Sequence, residues 1–116
     1  MFEEFIATEL RSGQPVHCIY QAMVTAIATR HADAVDIKFL AGDRPVWVSL
    51  PHPAWQEYHR QTGGSITDAL AVDIAGQYLK SIIESGEEGG RDMYTLTVSE
   101  TLQHLDAVLQ AVGAVK

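Results

Sequence analysis

A β-hairpin is the feature that most constrains how this chain can fold. Two segments, VDIKFL (35–40) and PVWVSL (45–50), alternate between apolar and polar residues on either side of AGDR (41–44). A four-residue loop places Leu40 opposite Pro45, and this register fixes every other pair of the hairpin. We predict that one face of the hairpin packs on the core through the pairs Val35/Leu50, Ile37/Val48 and Phe39/Val46. The opposite face then carries Asp36/Ser49 and Lys38/Trp47.

The segment before the hairpin, VHCIYQAMVTAIATR (16–30), fits two kinds of secondary structure. A helix would align Val16, Ile19, Tyr20, Met23 and Ile27 in one stripe, whereas a strand would place a wholly apolar face from Val16 to Ala28 on one side. We favour a long strand, because an isolated hairpin is marginally stable and needs a neighbour. In that strand Ile19, Met23 and Ile27 share a face with Trp47.

The remaining segments predict helices and one further strand. The stripe Phe2, Phe5, Ile6 and Leu10 predicts a helix over 2–11. Pro53 begins a short helix over 52–62 that Gly63 ends, and Ser65 caps a long helix from Ile66 to about Ser85. A strand over 93–98 follows, and Ser99 caps a last helix. The order α-β-β-β-α-α-β-α predicts a single α+β domain over 1–116, with helices packed on an antiparallel sheet of three or four strands: a three-stranded meander plus one later strand.

Composition and charge exclude several classes of protein. Eight basic residues against fifteen acidic residues give a net charge of −7, with no local cluster of basic residues. We therefore expect no nucleic-acid partner and no docking on an anionic membrane surface. A single cysteine, Cys18, fits a reducing compartment, and the segment MFEEFIATEL lacks the basic residues of a signal peptide. We expect a cytoplasmic protein.

The segment PHPAWQEYHRQTGG (51–64) concentrates side chains that could carry chemistry. On a helix, His52, Trp55 and His59 share a face, but two turns, about 10 Å of rise, separate the histidines, which is too far to bind one metal ion. One interpretation is structural, with Trp55 and Tyr58 anchoring the helix on the sheet. The other is a ligand pocket, with Trp55, Tyr58 and His59 lining it and Arg60 holding an anion.

The other candidates give no catalytic pattern. Cys18 on an apolar face is a core residue, since reactive cysteines need a positive, exposed surrounding. The chain has no G-x-S-x-G motif, no phosphate-binding glycine loop and no carboxylate pair on an apolar background. We predict no metal, no cofactor and a function that is not enzymatic.

The face of the hairpin that bears Lys38 and Trp47 predicts an interaction surface. Lys38 can stack on Trp47, and Met23 and Ile27 would join them, so this face needs a cover. Either the N-terminal helix or another subunit supplies that cover. We predict a homodimeric interaction or regulatory module with an interface at Met23, Ile27, Lys38 and Trp47, which could also receive another protein partner. The alternative is a small-ligand-binding protein or small enzyme with its pocket at the 51–62 helix. A third hypothesis is an acidic secretion-type chaperone.

Overall fold

The structure, a computed structural model, describes residues 2–26 and 34–111, which form one mixed five-stranded sheet and three helices. The strands are β1 Glu4–Thr8, β2 Pro15–Ala26, β3 Ala34–Ala41, β4 Arg44–Pro51 and β5 Met93–Thr95. The helices are α1 Pro53–Thr62, α2 Asp68–Ser85 and α3 Val98–Ala111. The strands lie in chain order across the sheet, and only the pair β4 and β5 is parallel. The α+β class and the three-stranded meander are confirmed, but the sheet has five strands and not the predicted three or four.

The central hairpin forms in the predicted register. Leu40 is opposite Pro45 and Lys38 is opposite Trp47. The ladder continues one pair further than expected, because the turn consists of Gly42 and Asp43 alone. Gly42 has φ 68° and Asp43 is not in the left-handed region, a combination that fits the type II′ turns of two-residue hairpins.

The N-terminal segment is a strand, so the prediction of a helix over 2–11 is wrong. Residues of β1 alternate between the two faces of the sheet, with Phe5 and Ala7 directed to the core. In a segment of five residues, the spacing of apolar residues does not distinguish the helical period of 3.6 from the strand period of 2. Pairing with β2 along the whole segment makes it a strand. The order of elements therefore begins β-β-β-β instead of α-β-β-β.

Strand β2 confirms the strand interpretation as far as Ala26; residues 27–30 of that prediction lie outside the described residues. A β-bulge interrupts its pairing with β3 between Tyr20 and Ala22. One extra residue, Gln21, shifts the alternation, so that Met23 is opposite Ile37 on the side of the helices. Met23 therefore does not share a face with Trp47, which differs from the sequence-based expectation.

The later elements begin or end a few residues from their predicted limits. Helix α1 begins at Pro53 and ends before Gly63, as expected. The cap of α2 is Thr67, whose hydroxyl accepts from the Leu70 N–H, and not Ser65. The strand predicted over 93–98 has three residues, because Thr97 and Glu100 form a reciprocal capping box that starts α3 at Val98. Thr97 thus takes the role predicted for Ser99.

The sheet is antiparallel up to β4, and β5 departs from the predicted antiparallel arrangement. Helices α1 and α2 lie between β4 and β5 in the chain, so β5 returns to run in the same direction as β4. The core lies between the helices and one face of the sheet. Its fully buried side chains include Phe39, Ile37, Leu50, Ile74, Leu79 and Leu105.

Candidate functional site

The face of the sheet that points away from the core, here called the outer face, concentrates exposed apolar side chains. In the described part of the chain five large hydrophobic residues are exposed, and four of them lie on the outer face. These four are Ile6 (58%), Val24 (49%), Met93 (43%) and Ile19 (36%). Trp47 and Leu40 lie on the same face and are half-buried. Each of the five strands thus contributes at least one apolar side chain to this face.

None of the three helices covers the outer face. The side chains buried under the helices belong to the opposite face, for example Phe39, Val46 and Val48. The N-terminal helix that could have shielded Trp47 is instead β1, which extends the same sheet. Within the described residues, the outer face therefore faces solvent.

Two opposite charges stand in the middle of the outer face. Lys38 is opposite Trp47 and Asp36 is opposite Ser49, as the hairpin register predicted. The His17 ring nitrogen Nε2 lies 2.5 Å from a Glu4 carboxylate oxygen on this face, near its β1 edge. Both Lys38 and Asp36 are half-buried among their neighbours.

The predicted interface residues are thus only partly brought together. Lys38 and Trp47 are adjacent on the outer face. Met23 lies on the opposite face, and Ile27 lies outside the described residues. Sequence reasoning missed Ile6, Val24 and Met93. Ile6 belonged to a segment expected to be a helix, Val24 changes face only because of the bulge, and Met93 reaches the face only through a parallel pairing.

The four residues of the predicted ligand pocket bind other parts of the protein. The Trp55 Nε1–H donates to the Ile66 carbonyl at 3.1 Å, and the His59 ring nitrogen Nδ1 lies 3.3 Å from the Gly64 carbonyl. Tyr58 is packed against Gly64, and Arg60 pairs with Glu57 one turn earlier in α1. Three of the four side chains therefore hold the connection to α2 against α1, whereas the structural interpretation had Trp55 and Tyr58 anchoring the helix on the sheet. The ligand pocket stays a prediction.

Two clefts lie elsewhere on the described surface. The first, of about 610 Å³, opens where the β1–β2 connection, the hairpin turn and the end of α2 meet. The second, of about 490 Å³, lies between β2 and the first turn of α2, where the bulge has turned Met23 inward. Neither is lined by Trp55, Tyr58, His59 or Arg60.

A hydrogen-bonded network forms one wall of the first cleft. Glu88 accepts from the Tyr94 hydroxyl and from the Arg44 guanidinium, both at 2.6 Å. Burial alone would raise the pKa of Glu88, but the hydrogen bonds from Tyr94 and Arg44, the charge of Arg44 and the Gly90 N–H together lower it. Arg44 also donates to the Arg91 carbonyl at 3.1 Å. These groups satisfy one another and stabilise the loop before β5.

The other titratable groups give no catalytic arrangement in the described part of the chain. Burial raises the pKa of the Cys18 thiol to about 11, which keeps it protonated and unreactive. Burial also lowers the pKa of His104, whose ring contacts Gln77 and lies edge-on to Tyr78 between α2 and α3. Over the described residues, no group of three or more His, Cys, Asp and Glu side chains is placed to hold a metal ion.

Comparisons with known proteins add no functional assignment. No protein-family model, curated protein or solved structure matches this chain. Among the described residues, no helix combines the length and apolar character needed to cross a membrane.

Proposed function

We propose that this chain is a homodimeric interaction module whose two copies meet through the outer face. The observation that carries the proposal is the concentration of exposed Ile6, Ile19, Val24 and Met93 around Trp47 on a sheet face without helices. Exposed apolar side chains that gather on one face, among polar residues, mark interaction sites. A second copy brings the same apolar surface to this face.

The size of the outer face is adequate for a stable dimer. Strands β3 and β4 have eight residues each, a length of about 26 Å, and five strands span about 24 Å. The face therefore offers at most roughly 600 Å² per copy, because β1 and β5 have only five and three residues. Stable protein interfaces begin at about 600 Å² per partner. The dimer is expected to be of moderate affinity.

The charge distribution also favours a second copy at this face. Each chain carries −7, so two copies repel each other at most orientations. Among the described residues, the outer face holds two acidic side chains, Asp36 and Glu4, and one lysine, Lys38, which stands beside Asp36. The face thus carries only a small part of the net charge of the chain, and approach through it lessens the repulsion.

Replacing Trp47 by alanine tests the proposal. Trp47 belongs to the outer face, so its loss leaves the core intact, whereas large aromatic residues carry much of the energy of an interface. We expect Trp47→Ala to weaken self-association by about 2 kcal/mol or more, close to thirtyfold in the dissociation constant. Sedimentation velocity over a dilution series measures this, with circular dichroism to verify the fold.

Leu10→Ala is the matched control. Leu10 is 61% exposed but lies in the β1–β2 connection beside the end of α2, away from the outer face. We expect this variant to associate as the wild type does. A wild-type chain that stays monomeric at high concentration would contradict the proposal, as would a dimer that Trp47→Ala leaves unchanged. If Trp47→Ala fails to fold, Val24→Asp provides the same test from another strand.

A further inference from the structure

The two charges at the centre of the outer face have no partner among the residues that the structure describes. Lys38 and Asp36 are two residues apart on β3, about 7 Å along the strand, and neither forms a salt bridge or a side-chain hydrogen bond in the described residues. Burying an unpaired charge in an interface is costly. A partner that covers this face must therefore bring an anion to Lys38 and a cation to Asp36.

The residues around these charges form two rows that cross the sheet. The first row, from β2 to β5 around Lys38, contains Ala22, Lys38, Trp47 and Met93. The second row lies two residues further along each strand, around Asp36: Val24, Asp36, Ser49 and Thr95. On each of these strands, the residue in the second row thus differs in size or charge from the residue in the first row.

We infer that the two copies pack face to face, so that the first row of one copy lies on the second row of the other. The two copies are related by a two-fold axis in the plane of the interface. This axis runs perpendicular to the strands and passes at the level of Ile37. This inference rests on the proposed homodimer. The axis reverses the direction of the second sheet, so the first row of each copy lies on the second row of the other. Lys38 then meets Asp36 of the second copy, and the reverse contact forms by symmetry.

The same rotation matches the sizes of the side chains. Trp47 lies over Ser49 of the second copy, which is small and only 6% exposed among its neighbours. Met93 lies over Thr95, and Val24 lies over Ala22. Large groups therefore meet small ones within these two rows, as close packing of two sheets requires. A partner sheet in the parallel orientation would instead place Lys38 over Lys38.

Charge reversal tests this arrangement. Lys38→Asp gives a chain with two negative charges at the centre of the face, and Asp36→Lys gives a chain with two positive charges. We expect each variant alone to self-associate at least about tenfold more weakly than the wild type, because like charges meet. An equimolar mixture should form a heterodimer with an affinity within about threefold of the wild type, and the double variant Lys38→Asp/Asp36→Lys should homodimerise again. Sedimentation velocity measures the dissociation constants, and native mass spectrometry identifies the heterodimer in the mixture.

The outcomes separate this inference from the proposed dimer. If the wild type is dimeric and Trp47→Ala weakens it, but the mixture of charge variants does not recover, the two-fold arrangement is wrong and the dimer stands. If the wild type is monomeric, both proposals fail. Should a charge-reversed chain not fold, Lys38→Gln and Asp36→Asn give a double-mutant cycle, and additive effects on the dissociation constant would overturn the contact.

Discussion

Gly76, in the middle of α2, has a close neighbour that a side chain would displace. A Cβ at this position would lie 2.5 Å from the Phe2 Cβ and 3.0 Å from the Phe2 carbonyl oxygen. Phe2 in turn begins a row of edge-to-face rings with Phe5 and Phe39, and its N–H donates to Asp73 at 2.7 Å. The absence of a side chain at Gly76 therefore permits the start of the chain to lie directly on α2.

We predict that Gly76→Ala lowers the free energy of unfolding by about 1 to 3 kcal/mol, because the added methyl group collides with Phe2. Replacing glycine by alanine inside a helix ordinarily raises the free energy of unfolding by about 0.5 to 1 kcal/mol, so a decrease here would have the opposite sign to the usual effect. Urea unfolding measures the change. Gly89→Ala is the control, since nothing lies within 4 Å of a Cβ there, and it should remain within about 0.5 kcal/mol of the wild type. An increase in stability for Gly76→Ala would show that Phe2 is not held on α2.

At the scale of elements, Glu88 connects the loop after α2 to two strands. It accepts hydrogen bonds from Arg44 of β4 and from Tyr94 of β5, and its side chain is 17% exposed. Because these contacts lower its pKa in the folded state, the ionised carboxylate stabilises the fold. This contribution is complete above the ordinary glutamate pKa, about 4.3, and is lost as the pH falls through the lower pKa of the folded state.

We predict that Glu88→Gln costs about 1 kcal/mol of unfolding free energy at pH 7, because charged hydrogen bonds become neutral ones. The difference from the wild type should shrink as the pH falls below about 4.3 and disappear once the carboxyl group is protonated in both states. Urea unfolding at a series of pH values measures it. Glu57→Gln, which removes a surface pair with Arg60, is the control and should have a much smaller effect. Equal effects of the two variants would contradict the role of Glu88.

The elements that could be predicted from sequence are those that local chemistry determines. The hairpin register follows from alternation and a tight turn, and α1 follows from Pro53 and Gly63. The bulge at Gln21 and the pairing of β1 depend on neighbours distant in the chain, and nothing local in EFIAT distinguishes a strand from a helix. Sequence patterns predicted the part of the candidate site that lies on the hairpin, Lys38 and Trp47. They did not predict the part that the other strands contribute.

At the scale of the whole molecule, the β1 edge of the sheet contacts α2 while the outer face is open. The N–H groups of Phe2, two residues before β1, and of Thr8, the last residue of β1, donate to Asp73 and Glu84 of α2. A helix that accepts hydrogen bonds from an edge strand obstructs pairing with another chain at that edge. The outer face has no such cover in the described residues, which favours stacking of sheets over extension of the sheet as the mode of association.

The most direct test of this account is an isotope-filtered NOE experiment on a mixture of ¹³C-labelled and unlabelled chains at a concentration where the protein is dimeric. Only contacts between copies give signals in this experiment. We expect signals between the methyl groups of Val24 and Ala22 of the second copy, and between the Trp47 indole and the Ser49 region of the second copy. A dimer whose intermolecular signals come from the helices, with none from the outer face, would contradict the central claim.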